Sequence, residues 1–170
     1  MEKAVEKANA NANGSKRIAI RIVLTIVFGW SLINSVIMLA RTGSTDLLML
    51  KAVGLDWLFW IIVPSLIVLQ DAAIFYIWRP FTIGYRAAQG AVLLGLVETV
   101  GVAIIGFEKP AILKQAFITS RTERGLPVRQ EVLDMMDNPA AQFLPVILTT
   151  ILACIWLFLL AKLKPANAIE

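Results

Sequence analysis

Four long apolar runs, separated by shorter polar segments, dominate the hydrophobic pattern of this 170-residue chain. They extend over Ile18 to Ala40, Leu55 to Trp78, Tyr85 to Phe107 and Phe143 to Ala161. Each run reaches the roughly 20 residues that an α-helix needs to cross the hydrocarbon of a bilayer. None of them alternates polar and apolar residues as a barrel strand would. The pattern predicts an all-α integral membrane protein with four transmembrane helices.

The segments outside the apolar runs divide the chain further. Residues 1–17 are polar and low in complexity, and we expect a flexible tail there, with a helical start at Glu2 to Ala10 as the alternative, ahead of a transmembrane domain over 18–170.

The pattern of the connector 108–142, between spans three and four, predicts two short amphipathic helices. Pro110 is suited to start the first of them and Gly125 to stop it. Such a connector fits the bilayer surface or a partner, and a solvated connector is the alternative.

Composition agrees with the membrane prediction. Hydrophobic residues make up 58% of the chain and charged residues only 16%, with a mean hydropathy of +0.75. Such a chain would expose large apolar patches in water, so the lipid bilayer is its expected partner. The formal net charge is +4, but the basic residues are scattered at the ends of apolar runs. Without a basic stripe, we expect no nucleic acid partner.

The distribution of basic residues indicates an orientation. Nine of the 16 lysines and arginines fall on the side of the two termini and seven on the other. The short hairpin 79–86 carries Arg79 and Arg86 and no acid, and short basic loops are hard to translocate. We therefore expect a multi-pass membrane protein with both termini in the cytoplasm, and our hypothesis for its location is a bacterial inner membrane.

Several kinds of chemistry lack their usual residues. The chain has no histidine, and Cys154 is its single cysteine. A serine triad, the common metal sites and a disulfide within the chain therefore lack their usual groups. No phosphate-cradling glycine loop with a lysine occurs either. We expect no enzyme, no metal site and no cofactor.

The third apolar run carries a periodic face of small residues. On an ideal helix, one broad face gathers the glycines of this run together with Gly84 just before it, and Glu98 lies near the middle of that face. Small residues allow helices to approach closely in lipid, so this packing face should be buried against other spans or subunits. The glycines of the predicted packing face are Gly84, Gly90, Gly95, Gly101 and Gly106.

Glu98 is the principal candidate for function. An unpaired charge at that depth costs on the order of 2.5–3.5 kcal/mol, so the carboxyl should be protonated or paired. It is predicted either to bind a proton or cation, or to hydrogen-bond between helices as a neutral acid. These two interpretations stay open.

Asp71 and Arg21 form a second candidate site. Asp71 lies about two turns from the end of the second span, and Arg21 about one turn into the first. We expect the two side chains to clasp the helices together as an ion pair, with Asp71 on the cytoplasmic path to Glu98 as the functional alternative. Ser31, Asn34 and Ser35 share a face of the first span and are expected to hydrogen-bond between helices.

Two functional hypotheses follow. The preferred one is a non-catalytic accessory or assembly subunit of a larger membrane complex, because the packing face and the connector suit partners and no catalytic motif is present. The alternative is an oligomeric proton- or cation-coupled small transporter or channel that uses Glu98. The expected partners are accordingly other membrane subunits or further copies of the chain.

Overall fold

The computed structural model describes residues 2–41, 43–79 and 82–163, with side chains described from residue 14 onward except at 139 and 141. Within these residues the chain forms seven helices and no strand. The helices are α1 (Glu2–Ala40), α2 (Thr45–Ala52), α3 (Asp56–Tyr76), α4 (Thr82–Glu108), α5 (Pro110–Glu123), α6 (Gln130–Met135) and α7 (Pro139–Leu163).

Four of the helices are long and apolar enough to span a membrane. Their spanning parts cover Gly14–Ala40, Asp56–Tyr76, Thr82–Glu108 and Gln142–Leu163, with mean hydropathies between 2.0 and 2.6. Large apolar side chains such as Trp30, Val68 and Val97 are exposed on their outer surfaces, where lipid is the suitable solvent. The predicted fold class, four transmembrane helices with a helical connector, is confirmed.

The spanning helices surround a common interior. α1 packs against α3, α3 against α4, and α4 against α7, while α7 returns to meet α1. Because the chain reverses direction at each connection, the start of the α1 span and the end of α7 lie on one side, called here the terminal side. The connecting helices α2, α5 and α6 lie on the opposite side, where α2 packs on α5 and both contact α4. This second layer is called the cap.

Two apolar clusters hold the ends of the bundle together. On the terminal side, the inner cluster joins all four spans, and it consists of Leu24, Phe28, Ala73, Ile77, Ala87, Ala88, Ala91 and Leu160. On the other side, the cap cluster joins α2 to α3, and it consists of Leu47, Leu50, Phe59 and Val63. The space between the clusters is where the bundle is less tightly filled.

The structure corrects the predicted boundaries in three places. α1 begins at Glu2 and continues beyond Ala10 without a break into the first span, because the alanines, glutamates and lysines of this segment favour a helix. α2 was not predicted; the Ser44 hydroxyl accepts a hydrogen bond from the Leu47 N–H and caps it. α7 begins at Pro139, four residues before the predicted span, and the Asn138 side chain accepts a hydrogen bond from the Ala140 N–H.

The predicted connector helices are both present. α5 begins at Pro110, and after its end at Glu123 the chain turns at Gly125, whose φ of +63° favours glycine. α6 is only six residues long and has no buried residue. A salt bridge of 2.5 Å from Lys114 Nζ to Asp137 Oδ2 connects α5 to the segment that follows α6.

Candidate functional site

Glu98 lies on the inner side of α4, at the boundary between two cavities. It is ten residues from the end of α4, or about 15 Å at 1.5 Å per residue. The cap cavity, of about 520 Å³, extends from Glu98 toward the cap. The core cavity, of about 310 Å³, extends from Glu98 into the bundle toward the inner cluster. Thr99 also lines both cavities, so the two spaces share one wall segment.

The cap cavity is bounded by six of the seven helices, all except α3. Most of its surface is apolar, and its polar groups are mainly two carboxyls and one side-chain amide. The lining residues are Met38, Asp46, Glu98, Thr99, Val102, Ala103, Gly106, Leu113, Val132, Met135, Met136, Gln142, Leu144 and Pro145. No lysine or arginine is among these described lining residues, so a cation entering the cavity meets no like charge.

Gln142 contributes an acceptor without a partner to the cap cavity. Its Nε2 donates a hydrogen bond to the carbonyl oxygen of Met136. Its Oε1 is buried and has no hydrogen-bond partner among the described residues. A buried acceptor left without a donor costs about 1–3 kcal/mol, so a bound donor would relieve that cost.

Asp46 brings a second carboxyl to the cap cavity. The capped start of α2 positions it, while Leu47, Met49 and Leu50 anchor the helix in the protein interior. Burial raises the pKa of the Asp46 carboxyl above its ordinary value, because the charged form loses hydration. Asp46 and Glu98 both line the cap cavity, so a cation in that cavity would face two carboxyls. Both acids would therefore be stabilised in the ionised form by a cation between them.

The core cavity has a more polar character. The Gln70 side chain donates from Nε2 to Ser31 Oγ at 2.8 Å and thereby joins α3 to α1. Gln70 is only 4% exposed, and its Oε1 has no hydrogen-bond partner in the described part of the chain. Ser35 and Thr149 also line this space.

The predicted packing face is closely packed at its ends and open at its middle. A Cβ added at Gly84 would meet the backbone of Tyr76 at 2.6 Å, and one added at Gly106 would meet Leu113 at 3.2 Å. At Gly90 the nearest atoms, in Leu69, are at an ordinary 3.5 Å. At Gly95 and Gly101 nothing lies within 4 Å. The middle of the face therefore borders open space beside Glu98 instead of a neighbouring helix.

The predicted clasp between Asp71 and Arg21 is not formed. Asp71 is exposed on the outer surface of α3, because the preceding residue Gln70 points into the bundle and successive helical residues differ by about 100°. Arg21 Nε is buried without a hydrogen-bond partner, and no ion pair joins it to Asp71 in the described residues. Neither side chain lines a cavity with Glu98.

The predicted polar face of α1 is divided in a similar way. Ser31 and Ser35 line the core cavity, and the Ser31 hydroxyl accepts the bond from Gln70 described above. Asn34 is exposed and donates to the carbonyl oxygen of Trp30 within its own helix. The interhelical hydrogen bond expected for this face is thus made by Ser31.

Sequence reasoning did not single out Asp46, Gln70 as a bridging residue, or Gln142. The Ser44-Thr45-Asp46 segment is a helix-start signal, but it does not indicate that the helix turns its acid toward the third span. Among the described residues, no three His, Cys, Asp or Glu side chains are grouped so that they could hold a metal ion.

Comparisons with protein-family models, with curated proteins and with solved structures find no match to this chain. The function is therefore inferred from the residues themselves.

Proposed function

We propose that this chain is a small, non-enzymatic transporter or channel for protons or other cations, in which Glu98 is the titrating residue. The observation that carries the proposal is the position of Glu98 between two cavities, one toward the cap and one in the centre of the bundle. An acid in a membrane span is costly unless it is paired, neutral or in contact with water. Space on both sides of one carboxyl suits a group that exchanges an ion.

The ends of the two cavities support a carrier more than an open channel. The inner cluster closes the core cavity toward the terminal side with packed apolar side chains such as Phe28 and Leu160. An ion at Glu98 would have to wait for the helices to rearrange before it left on that side.

The proposal is tested by ion flux into proteoliposomes. Vesicles loaded with dyes for H⁺, Na⁺ and K⁺ receive a membrane potential, negative inside, and the entry of each ion is followed. We expect the wild-type protein to admit one of these ions faster than protein-free vesicles do. Glu98→Gln, which keeps the shape and removes the titration, should return the rate to that of protein-free vesicles.

Asp71→Asn is the matched control, because Asp71 is an acid in a span that faces away from both cavities. It should retain the wild-type rate. Wild-type vesicles that equal protein-free vesicles for all three ions would refute the proposal. So would a Glu98→Gln variant that admits ions at the wild-type rate.

A second candidate function is that of an accessory or assembly subunit of a membrane complex. It is favoured by polar groups on the outer surface of the spans, since Asp71 and Asn34 are both exposed where lipid would otherwise surround them. A partner helix that covers Asp71 would relieve this cost. Native mass spectrometry of the gently extracted protein should then find other subunits at fixed stoichiometry, and Asp71→Lys should release them. A protein that emerges alone contradicts this candidate.

We further propose that both termini lie in the cytoplasm and the cap on the far side of a bacterial inner membrane. The support is the basic hairpin between α3 and α4, which is on the terminal side with Arg79 and Arg86. Reporter fusions at residue 170 and within the α5–α6 segment should report opposite sides. The reverse result would invert the direction of transport that we propose.

A further inference from the structure

The cap cavity combines an apolar wall with a set of hydrogen-bond acceptors. From this combination we infer that it binds an organic ammonium ion with an apolar body, which places its charged nitrogen among Asp46, Glu98 and Gln142. The inference rests on the proposed function, because it adds an organic cation to the ions that the Glu98 carboxyl takes. It adds a ligand site on the cap side that sequence analysis did not indicate.

The size and wall of the cavity fit a compact organic molecule. A volume of about 520 Å³ lies within the range of roughly 300–1,000 Å³ that is usual for small-molecule sites. Three methionines, Met38, Met135 and Met136, lie on its surface. Methionine side chains are flexible and polarisable, so they adapt to irregular apolar shapes. A hydrated inorganic ion would leave most of this wall unused.

The polar groups select the charge of the ligand. Two carboxyls and the buried, unpartnered Gln142 Oε1 all accept hydrogen bonds, and no basic side chain is among the lining residues. A primary ammonium donates three hydrogen bonds and carries the complementary charge. An anion would meet the two acids, and a purely apolar molecule would leave the Gln142 oxygen unsatisfied.

Binding is tested on the full-length protein in lipid nanodiscs by calorimetric titration. The probe is 4-phenylbutylammonium, with 4-phenylbutanol and 4-phenylbutyrate as neutral and anionic molecules of the same apolar body. Heats from protein-free nanodiscs are subtracted to remove partition into lipid. We expect the ammonium to bind at least about tenfold more tightly than either control, because only it has both donors and a positive charge. Equal affinities for the three would overturn the inference.

Variants locate the binding in the cap cavity. Asp46→Asn and Glu98→Gln should each weaken ammonium binding by about tenfold or more, since each removes one charge that faces the nitrogen. Val102→Trp should abolish binding by filling the space. Asp71→Asn, on the outer surface, should leave the affinity unchanged. Circular dichroism checks that each variant is folded; Asp46→Asn lies outside the spans, so it remains informative if Glu98→Gln is not folded.

The outcomes separate this inference from the proposed function. If Glu98-dependent ion flux occurs but the ammonium does not bind, the ligand class is wrong and the proposed function stands. If the ammonium binds with the predicted pattern of variants but no flux is seen, the cavity is a binding site and the proposed function fails. Binding that is equally lost in Asp71→Asn, or unchanged in Asp46→Asn, places the ligand elsewhere and refutes the inference.

Discussion

The glycines of α4 test the described packing, because five similar residues on one predicted face have very different surroundings. Gly84→Ala is the severe case. The added Cβ would lie 2.6 Å from the carbonyl carbon and 2.6 Å from the Cβ of Tyr76 at the end of α3. Carbon atoms prefer about 3.5–4.0 Å, so the two helices would have to separate by about 1 Å. Since the first of these atoms is backbone, rotation of a side chain cannot relieve the overlap.

The expected loss follows from two opposing effects. Overpacking of this kind costs about 1–3 kcal/mol. Alanine in a helix interior regains about 0.5–1 kcal/mol relative to glycine, because it restricts the unfolded backbone, and this is an upper limit at Gly84 in the first turn of α4. We therefore expect Gly84→Ala to lower the free energy of unfolding by about 1–2 kcal/mol, a substantial part of the stability of a small protein.

Gly95→Ala and Gly101→Ala are the matched controls on the same helix. An added Cβ at either position meets nothing within 4 Å, so only the gain in helix propensity remains. We expect these two variants to be unchanged or stabilised by up to about 1 kcal/mol. Unfolding in mixed micelles of increasing dodecyl sulfate content, followed by far-ultraviolet circular dichroism, measures all three. A Gly84→Ala variant as stable as the wild type, or a Gly101→Ala variant that loses as much, would refute the described packing of α4.

Three further predictions concern the cap and its cluster. Burial raises the pKa of Asp46 above its ordinary 3.8, so the folded state holds that proton more tightly than the unfolded state. The free energy of unfolding therefore includes the full contribution of protonated Asp46 below pH 3.8 and loses it as pH rises through the pKa of the folded state. Asp46→Asn should make the free energy of unfolding depend less on pH over this range. An unchanged pH dependence in the variant would contradict the prediction. Phe59→Ala removes a side chain that is only 1% exposed and should lower the free energy of unfolding in micelles by about 3 kcal/mol. Phe158→Ala, on the outer surface, should change it by about 0.5 kcal/mol or less. Similar losses in the two variants would contradict the burial of Phe59 in the cap cluster. Lys114→Met should cost about 1 kcal/mol or less, because its partner Asp137 is largely exposed, and a loss that does not shrink in 0.5 M salt would contradict a surface ion pair.

The spans were predictable because lipid imposes one dominant requirement. Backbone groups in hydrocarbon must be hydrogen-bonded within their own segment, so apolar runs of sufficient length are helical. The first span ends at Ala40 as predicted, and the connector helix α5 begins at Pro110 as predicted. A local signal sets the start of α5, because proline has no backbone N–H and the first residue of a helix does not need one. The helix α2 was missed because its eight residues are too few for a clear periodic pattern.

The candidate site was only partly predictable. The small-residue face of α4 indicated that Glu98 points inward, and the structure places it between two cavities. Asp46 and Gln142 were missed because they come from the segments before α3 and at the start of α7. Their meeting with Glu98 depends on how the cap folds over the bundle, and no local pattern encodes that. The Arg21–Asp71 ion pair was expected only because the two residues lie at similar depths in the membrane. In the structure α3 turns Gln70 toward the bundle and Asp71 toward the outside, so Asp71 does not meet Arg21.

Hydropathy and residue size act within single helices, so they indicate from the chain alone which segments enter the membrane and which face of α4 turns inward. The tertiary structure decided where that inward face is filled and where it is open. Gly84 and Gly95 have the same chemistry, yet one contacts the Tyr76 backbone and the other borders the core cavity. Cavities are properties of how several helices fit together, so the acids, amides and hydroxyls that share one space become neighbours only in the folded bundle.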